Sequence, residues 1–307
     1  MNRKGLMTTV VSVGVFSFIL AGCGAGAGTG TTTADIQNET TLEASASVQS
    51  ATASEASASA ASKADFDSSK AFEIRKKDTN VAAVFMGNDL QPLKKADGET
   101  LKTDTVWIYY DDMTFDQFAN VNGKMEGFSA GTYEFVNGDD FNYEGEDDNN
   151  GEIIIRRYLK YQDGKGVTEY SSEHTYVLET LGYHKAHAVK DNESKKAVSI
   201  FAAPEKQKYN DKNGEEKMLD TTWIFYDDMT FEQFVMKDDN VETFSKGTYA
   251  FENGGDFIYE DGEKNNGKIT IICNKRYEDG KGLTNYSSTN TYDLNTLGFD
   301  KLYVSEK

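Results

Sequence analysis

The chain has 307 residues and a formal net charge of −19, because 51 acidic residues outnumber 32 basic ones. Nucleic acid and anionic membrane surfaces are poor partners for so acidic a body. The two cysteines, Cys23 and Cys273, are too few for a disulfide framework.

The N-terminus has the pattern of a secretory signal. Arg3 and Lys4 precede an apolar segment over residues 6–20, which is too short to remain as a spanning helix. The stretch LAGC that follows, ending at Cys23, resembles the lipobox of bacterial lipoproteins. That resemblance implies a signal peptide over 1–22 and a diacylglycerol on Cys23. The alternative is a soluble secreted protein with an incidental cysteine.

The resemblance also implies a cellular location. Cys23 would tether the protein to the lipid bilayer of the cell envelope, at the outer face of the cytoplasmic membrane of a Gram-positive cell. Gly24 stands where an inner-membrane retention signal would place Asp, so a Gram-negative outer membrane stays open. Residues 23–70 are mostly Ala, Ser, Thr and Gly. Such a composition cannot bury enough apolar surface to offset chain entropy, and it predicts a disordered tether.

The rest of the chain is a duplication. WIYYDDMTFDQF, from Trp107, recurs as WIFYDDMTFEQF, from Trp223, at an offset of 116 residues. Residues 84–187 and 200–303 share 50 identities in 104 aligned positions without a gap. Each copy is long enough for its own core, so the sequence predicts two tandem domains, repeat 1 over 71–190 and repeat 2 over 191–307.

Both copies have a β pattern, with short segments rich in Tyr, Phe, Ile and Thr between Asn-Gly and Asp-Gly turns. Residues at every second position keep their identity between the copies, whereas their neighbours change, as expected of one buried and one solvated face. The predicted inward set is Tyr133, Phe135, Phe141, Tyr143, Ile153, Ile155, Tyr176 and Leu178, with Tyr249, Phe251, Phe257, Tyr259, Ile269, Ile271, Tyr292 and Leu294 as counterparts.

The order of these segments, a Trp-led strand, a YDDMTF hairpin, a GTYEF or GTYAF strand and a GEIII or GKITI strand, resembles lipocalin-like domains of bacterial lipoproteins. The resemblance implies an all-β fold of two tandem antiparallel meander barrels. Thr105 and Thr221 stand where true lipocalins have a glycine before the Trp. An immunoglobulin-like sandwich is the alternative fold.

Aromatic residues give the best argument for function, since buried tyrosines pair apolar area with a hydroxyl that needs a partner. The prediction is non-catalytic binding of a small apolar or amphipathic ligand. The proposed ligand-binding residues are Trp107, Tyr133, Tyr143, Tyr176, Trp223, Tyr249, Tyr259 and Tyr292. The alternative is a structural or adhesin-like module of the envelope, with filled barrels and a protein partner.

No enzyme, cofactor or resident metal is predicted. His174, His184 and His187 occur only in repeat 1, so a base required by both copies is excluded. Asp111 and Asp112 recur as Asp227 and Asp228 in the second copy. Because the two residues of each pair are adjacent, they point to opposite faces of a strand, and we interpret them as hairpin residues. A loose calcium site stays open among the acidic residues Asp139, Asp140, Glu146, Asp147 and Asp148, although their spacing does not fit an EF-hand.

Overall fold

A computed structural model describes residues 66–94, 100–121, 123–137, 141, 151–162, 165–177, 184–189, 195–210, 215–237, 240–258, 267–278, 280–294 and 299–306. In these residues the fold is all-β, as predicted, apart from isolated helical turns such as the 3-10 turn Ser68–Lys70. No helix in this part of the chain is long and apolar enough to span a membrane. The predicted signal peptide, Cys23 and the tether up to residue 65 lie outside the described residues.

Repeat 1 forms a seven-stranded sheet in the order β7-β6-β5-β4-β3-β2-β8. All its pairings are antiparallel. Its strands are β2 (Val81–Lys94), β3 (Thr100–Tyr110), β4 (Thr114–Val121), β5 (Lys124–Asn137), β6 (Glu152–Gln162), β7 (Gly166–Val177) and β8 (His184–Ala188).

Repeat 2 repeats this arrangement and gains one strand. Its sheet has the order β1-β15-β9-β10-β11-β12-β13-β14. The extra strand, β1 (Arg75–Lys77), precedes repeat 1 in the chain but pairs in parallel with β15. The others are β9 (Ala197–Asn210), β10 (Glu216–Tyr226), β11 (Thr230–Lys237), β12 (Asn240–Glu252), β13 (Lys268–Glu278), β14 (Gly282–Asp293) and β15 (Asp300–Glu306).

As far as the described residues show, both sheets are open, although the sequence predicts closed barrels. In repeat 1, β8 and not β7 lies beside β2, which leaves β7 and β8 as the two edges of the sheet. In repeat 2 the edges are β14 and β1. A closed barrel would expose the outer face of its central strands to water, and here that face is too apolar for exposure.

The central strands are buried on both faces, because successive side chains of a strand point to opposite sides. In β3, Trp107 and Tyr109 enter a core within repeat 1. The alternating residues Ile108 and Tyr110 enter a second core that also contains residues of repeat 2. The matching residues of β10 divide in the same way.

The second core, called the shared core below, joins the two repeats within one compact unit. Its buried members are Val81, Val84, Met86, Val106, Ile108, Tyr110, Phe118, Met125, Ala197, Ile200, Ala202, Ile224, Tyr226, Phe234, Met236, Leu302 and Tyr303. The Tyr110 ring lies 5.9 Å from Tyr303, and the counterpart contact joins Tyr226 to His187 at 5.3 Å. Because each contact exchanges equivalent positions, the repeats are related by a pseudo-twofold axis.

The inward face predicted from the alternation is confirmed for the strands outside this interface. Tyr133, Phe141, Ile153 and Ile155 are buried in the core of repeat 1. Their counterparts Tyr249, Phe257, Ile269 and Ile271 are buried in that of repeat 2, together with Leu294. Tyr143, Leu178 and Tyr259 lie outside the described residues.

Close approach of neighbouring strands explains the glycine of both GTY motifs. A Cβ atom at Gly131 would lie 1.8 Å from the carbonyl oxygen of Arg156 in β6. A Cβ at Gly247 would lie 1.9 Å from that of Ile272 in β13. Each glycine marks a register shift of its strand pair. Any side chain there would force the two strands apart.

Packing in the shared core can be tested at Ile108, which lies outside both aromatic cores. Ile108→Ala should lower the free energy of unfolding by about 2–4 kcal/mol, since it leaves a cavity at a fully buried position. Urea denaturation measures this loss. Ile154→Ala, on the half-buried outer face of β6, is the matched control and should cost less than about 1 kcal/mol. Equal losses would contradict a close-packed shared core.

Candidate functional site

The interior of repeat 1 is filled by aromatic rings. Trp107 is fully buried and its ring centroid lies 5.2 Å from Phe115. Tyr109 contacts Tyr133 edge to face at 5.1 Å and Phe141 at 4.8 Å. Such geometries are those that aromatic pairs favour in protein cores. Two of the predicted ligand-binding residues, Trp107 and Tyr133, are therefore packed against other rings of the core.

Repeat 2 contains the same cluster. Phe225 contacts Tyr249 edge to face at 5.2 Å and Phe257 at 4.9 Å. Trp223 stacks on Phe231 at 5.2 Å and on Phe299 at 5.7 Å. The predicted residues Trp223 and Tyr249 thus take part in ring packing as well.

The two core tyrosines fasten the hairpins at one end of each sheet. The Tyr133 hydroxyl donates a hydrogen bond to the carbonyl oxygen of Tyr110 at 2.6 Å, and Tyr249 donates to that of Tyr226 at 2.7 Å. Burial raises the pKa of both tyrosines well above the usual value. A hydroxyl bonded to a main-chain carbonyl in the core has a structural role.

The remaining predicted residues lie at the margin of the cores or outside the described residues. Tyr176 and Tyr292 are half-buried, each packed against the core of its own repeat. Burial raises the pKa of Tyr292. Tyr143 and Tyr259 are not among the described residues. The described members of the tyrosine set therefore belong to two separate cores and do not line one common cavity.

A small pocket does lie between the repeats, on the pseudo-twofold axis. Met86, Thr105, Met125, Thr221 and Met236 are among its lining residues. Its volume is about 10 Å³, which is room for roughly one water molecule. It contains none of the predicted ligand-binding residues.

The two tryptophans differ in their surroundings. In repeat 1 the guanidinium group of Arg157 lies 5.3 Å from the Trp107 ring. Repeat 2 has Cys273 at that position, and Trp223 is only half-buried. The Cys273 thiol donates to the carbonyl oxygen of Lys275 at 3.1 Å, and burial raises its pKa. A buried thiol with a raised pKa is a poor nucleophile.

The paired aspartates are hairpin residues, as the sequence predicts. Asp112 accepts hydrogen bonds from the amide and hydroxyl of Thr114 at 3.0 and 2.6 Å. Asp228 accepts the same two bonds from Thr230. Asp111 instead accepts from the amide of Asn80 at 2.9 Å. Adjacent carboxylates therefore serve different segments and do not converge on a substrate. The acidic residues of the open calcium hypothesis lie outside the described residues.

Sequence reasoning missed a segment that crosses between the repeats. This segment, residues 66–77, is called the N-terminal strap below, and the composition predicts its first five residues as part of the tether. Phe66 lies 5.1 Å from the Tyr158 ring, and Phe72 packs edge to face on Phe118 at 5.9 Å. At the end of the strap β1 pairs with β15 of repeat 2. The available signal was the basic triplet RKK at 75–77, in an otherwise acidic chain.

Lys76 of the strap meets a buried carboxylate of repeat 1. Its Nζ lies 3.1 Å from Asp116 Oδ2, and the Asp116 side chain is 3% exposed. The amide of Phe72 and the hydroxyl of Tyr110 also donate to Asp116, both at 3.1 Å. Burial raises the pKa of Asp116 despite the nearby ammonium group. Burying the carboxylate therefore depends on three donors, two of them from the strap.

The equivalent carboxylate of repeat 2 accepts fewer hydrogen bonds. Glu232, at the position of Asp116, accepts one hydrogen bond, from the Tyr226 hydroxyl at 3.2 Å. The same hydroxyl lies 3.4 Å from Nδ1 of His187 in β8. Burial lowers the pKa of His187 to about 4. No lysine or arginine of the described residues forms a salt bridge with Glu232.

The sheet edges are the remaining binding features. β7 and β14 each have 12 residues and pair with one neighbour only within the described part of the chain. Their exposed positions carry Ser, Thr, Asn, Asp and Glu side chains, together with Val167 of β7 and Tyr286 of β14. An unpaired edge presents main-chain N–H and C=O groups to which an extended peptide can add.

Tyr133→Phe should lower the free energy of unfolding by about 1 kcal/mol, because it removes the donor from a buried carbonyl oxygen. Thermal or urea unfolding measures the change. Tyr286→Phe, on the exposed side of β14, is the matched control and should stay within about 0.5 kcal/mol of the parent. A Tyr133→Phe protein as stable as the control would argue against the structural role of the hydroxyl.

The lowered pKa of His187 should make the stability of the fold depend on pH. Its pKa is lowered in the folded state to about 4, so the unfolded chain binds its proton first as the pH falls. Stability should decrease from about pH 6.5 to about pH 4, by roughly 3 kcal/mol at most. His187→Gln should remove this part of the slope and leave a constant offset above pH 7. Parallel stability curves over pH 4–7 would contradict the assignment.

Comparisons with protein-family models, curated proteins and solved structures find no match for this chain. The described residues also contain no group of three or more His, Cys, Asp or Glu side chains that could hold a metal ion.

Proposed function

We propose that this protein is a non-catalytic interaction module of the cell envelope, held to the membrane by lipid on Cys23. The observation that carries the proposal is the filled interior of both repeats, where aromatic rings pack on one another at 4.8–5.2 Å. A packed interior supports binding at the outer surface, where the long open sheet edges lie. The partner is an envelope protein, since an acidic surface is poorly suited to nucleic acid.

We further propose that each repeat is a lipocalin-like meander that has remained open. The consecutive antiparallel order of β2 to β7, and of β9 to β14, supports this relationship. In a lipocalin the last strand closes on the first. The shared core supplies a reason for the open form, because it buries the face that closure would expose.

Binding of a small amphipathic ligand is the second candidate. The half-buried positions of Tyr176, Tyr292 and Trp223 favour it, because their rings lie at the margin of a core and not at its centre. A ligand there would cover ring edges at the open side of a sheet.

Substituting Cys23 tests the anchor. Cys23→Ala should move the protein from the detergent phase to the aqueous phase on phase partitioning, because the lipidated thiol is lost. Cys273→Ala is the matched control, since it removes the other cysteine and should leave partitioning unchanged. Equal partitioning of Cys23→Ala and parent would refute the lipid anchor.

Photo-cross-linking in the host cell tests the interaction. A photoreactive residue at Tyr170 of β7, Tyr286 of β14 or Val189 after β8 should give protein adducts at one or more positions. A site in the core, such as Phe141, is the control and should give none. If every surface position lacked protein adducts while a stoichiometric small molecule remained bound in native mass spectra, ligand binding would replace this proposal.

A further inference from the structure

The strap covers only one of two equivalent sheet edges. In repeat 2, the Val304 amide of β15 donates to the Ile74 carbonyl oxygen at the start of β1 at 2.7 Å. The counterpart of β15 in repeat 1 is β8, at an offset of 116 residues. β8 pairs with β2 on one side, and no described strand pairs with its other side. One half of the molecule therefore has an added strand where the other has an open edge.

The main chain of β8 is oriented to receive a strand. The amide of Val189 donates to Ala82 of β2 at 3.0 Å. Because donors alternate in direction along a strand, the amide of Ala188 points to the outer edge. Ala188 is the counterpart of Val304, whose amide binds β1. The outer edge of β8 thus offers the same donor that the strap uses in repeat 2.

Burial differs between the two edges in the way that a missing strand would produce. Of the β15 residues that pair with β1, Val304 is 1% exposed and Ser305 is half-buried. The counterpart of Val304 in β8, Ala188, is half-buried. Val189, next along the chain, is 40% exposed. An additional strand would cover this apolar margin.

The two equivalent carboxylates, Asp116 and Glu232, indicate which side chain a strand added beside β8 would carry. Asp116 is met by the ammonium group of Lys76 from β1. Glu232, its half-buried counterpart beside β8, has the Tyr226 hydroxyl as its one partner among the described residues. Lys195 lies over the Tyr226 ring at 5.6 Å, but its Nζ forms an ion pair with Asp228 at 3.4 Å. A basic side chain on a strand beside β8 would complete the second carboxylate site.

We propose that the outer edge of β8 binds an extended basic segment of a partner protein, which adds as a parallel strand and places a lysine or arginine against Glu232. This inference rests on the proposed function as an interaction module and names the partner's chemistry. Main-chain pairing supplies affinity, and the carboxylate selects the basic residue. The acidic charge of the chain attracts such a segment from a distance.

A second copy of this chain is a poor occupant of the edge. Its own strap would bring Phe72 onto the surface where β12 has Thr243. In repeat 1 that position is Gly127, and a Cβ there would lie 2.6 Å from the Phe72 ring. Two chains of net charge −19 also repel each other. The occupant therefore has a small residue at the position of Phe72.

A synthetic peptide tests the site in the full-length protein in detergent micelles. The probe is residues 70–79 with Phe72→Ala, which keeps the basic triplet. It should bind, and a photoreactive residue at Val189 should cross-link to it. Glu232→Gln should weaken binding about tenfold. Glu252→Gln, an equal change of charge at an exposed end of β12, is the matched control and should bind as the parent does.

Two further comparisons test the geometry. Lys76→Gln in the peptide should also weaken binding about tenfold, and combining it with Glu232→Gln in the protein should cost no more than either change alone. The peptide with Phe72 retained should bind more weakly than the Phe72→Ala peptide. Thr243→Gly in the protein should remove that difference, because it restores the space present at Gly127.

Four results would overturn the proposal. They are the absence of peptide binding, additive effects of the two charge changes, peptide binding without a cross-link to the photoreactive residue at Val189, which indicates displacement of the strap, and a dimer of the full-length protein that the peptide dissociates, which indicates a second copy on β8. Adducts in the host cell at Tyr170 or Tyr286 without any at Val189 would refute this site alone. The proposed function would then stand on another edge.

Discussion

Burial of both faces of the central strands is the constraint on which the structure depends. Trp107 and Tyr109 alternate with Ile108 and Tyr110, so one strand supplies two cores at once. A strand of this kind cannot sit in the wall of a barrel in water, because one apolar face would be exposed. The second repeat has the same excess of apolar surface. The outer faces of the two sheets therefore pack against each other in the shared core, which buries both faces without closing either sheet.

Duplication solves this packing problem and then permits divergence. A pseudo-twofold axis makes each repeat the partner of the other through equivalent contacts, as between Tyr110 and Tyr303 and between Tyr226 and His187. The copies nevertheless differ at some positions. Gly127 stands where the other copy has Thr243, and the copy with glycine accommodates the Phe72 ring of the strap.

The strap shows how the asymmetry is built into the fold. The strap precedes repeat 1 in the chain. Its Lys76 forms an ion pair with Asp116 of repeat 1, and its strand β1 pairs with β15 in the sheet of repeat 2. A buried ion pair contributes little net stability, since desolvation offsets the attraction, but removing one partner is costly. The strap supplies two of the three donors that meet the buried Asp116 carboxylate. The strap thereby joins the repeats at one edge, whereas no described strand pairs with the equivalent edge of β8.

The sequence by itself determined the features that depend on neighbours along the chain. Alternation of identities between the copies identified the buried face of β5 and β6, and turn chemistry identified Asp112 and Asp228 as hairpin residues. Tertiary structure decided which apolar face meets which partner. The run around Ile108 is equally compatible with a barrel wall or an interface, because period two does not say what covers the second face. The pairing of Lys76 with Asp116 joins residues 40 positions apart, and no local pattern encodes a contact that only the docking of two sheets creates.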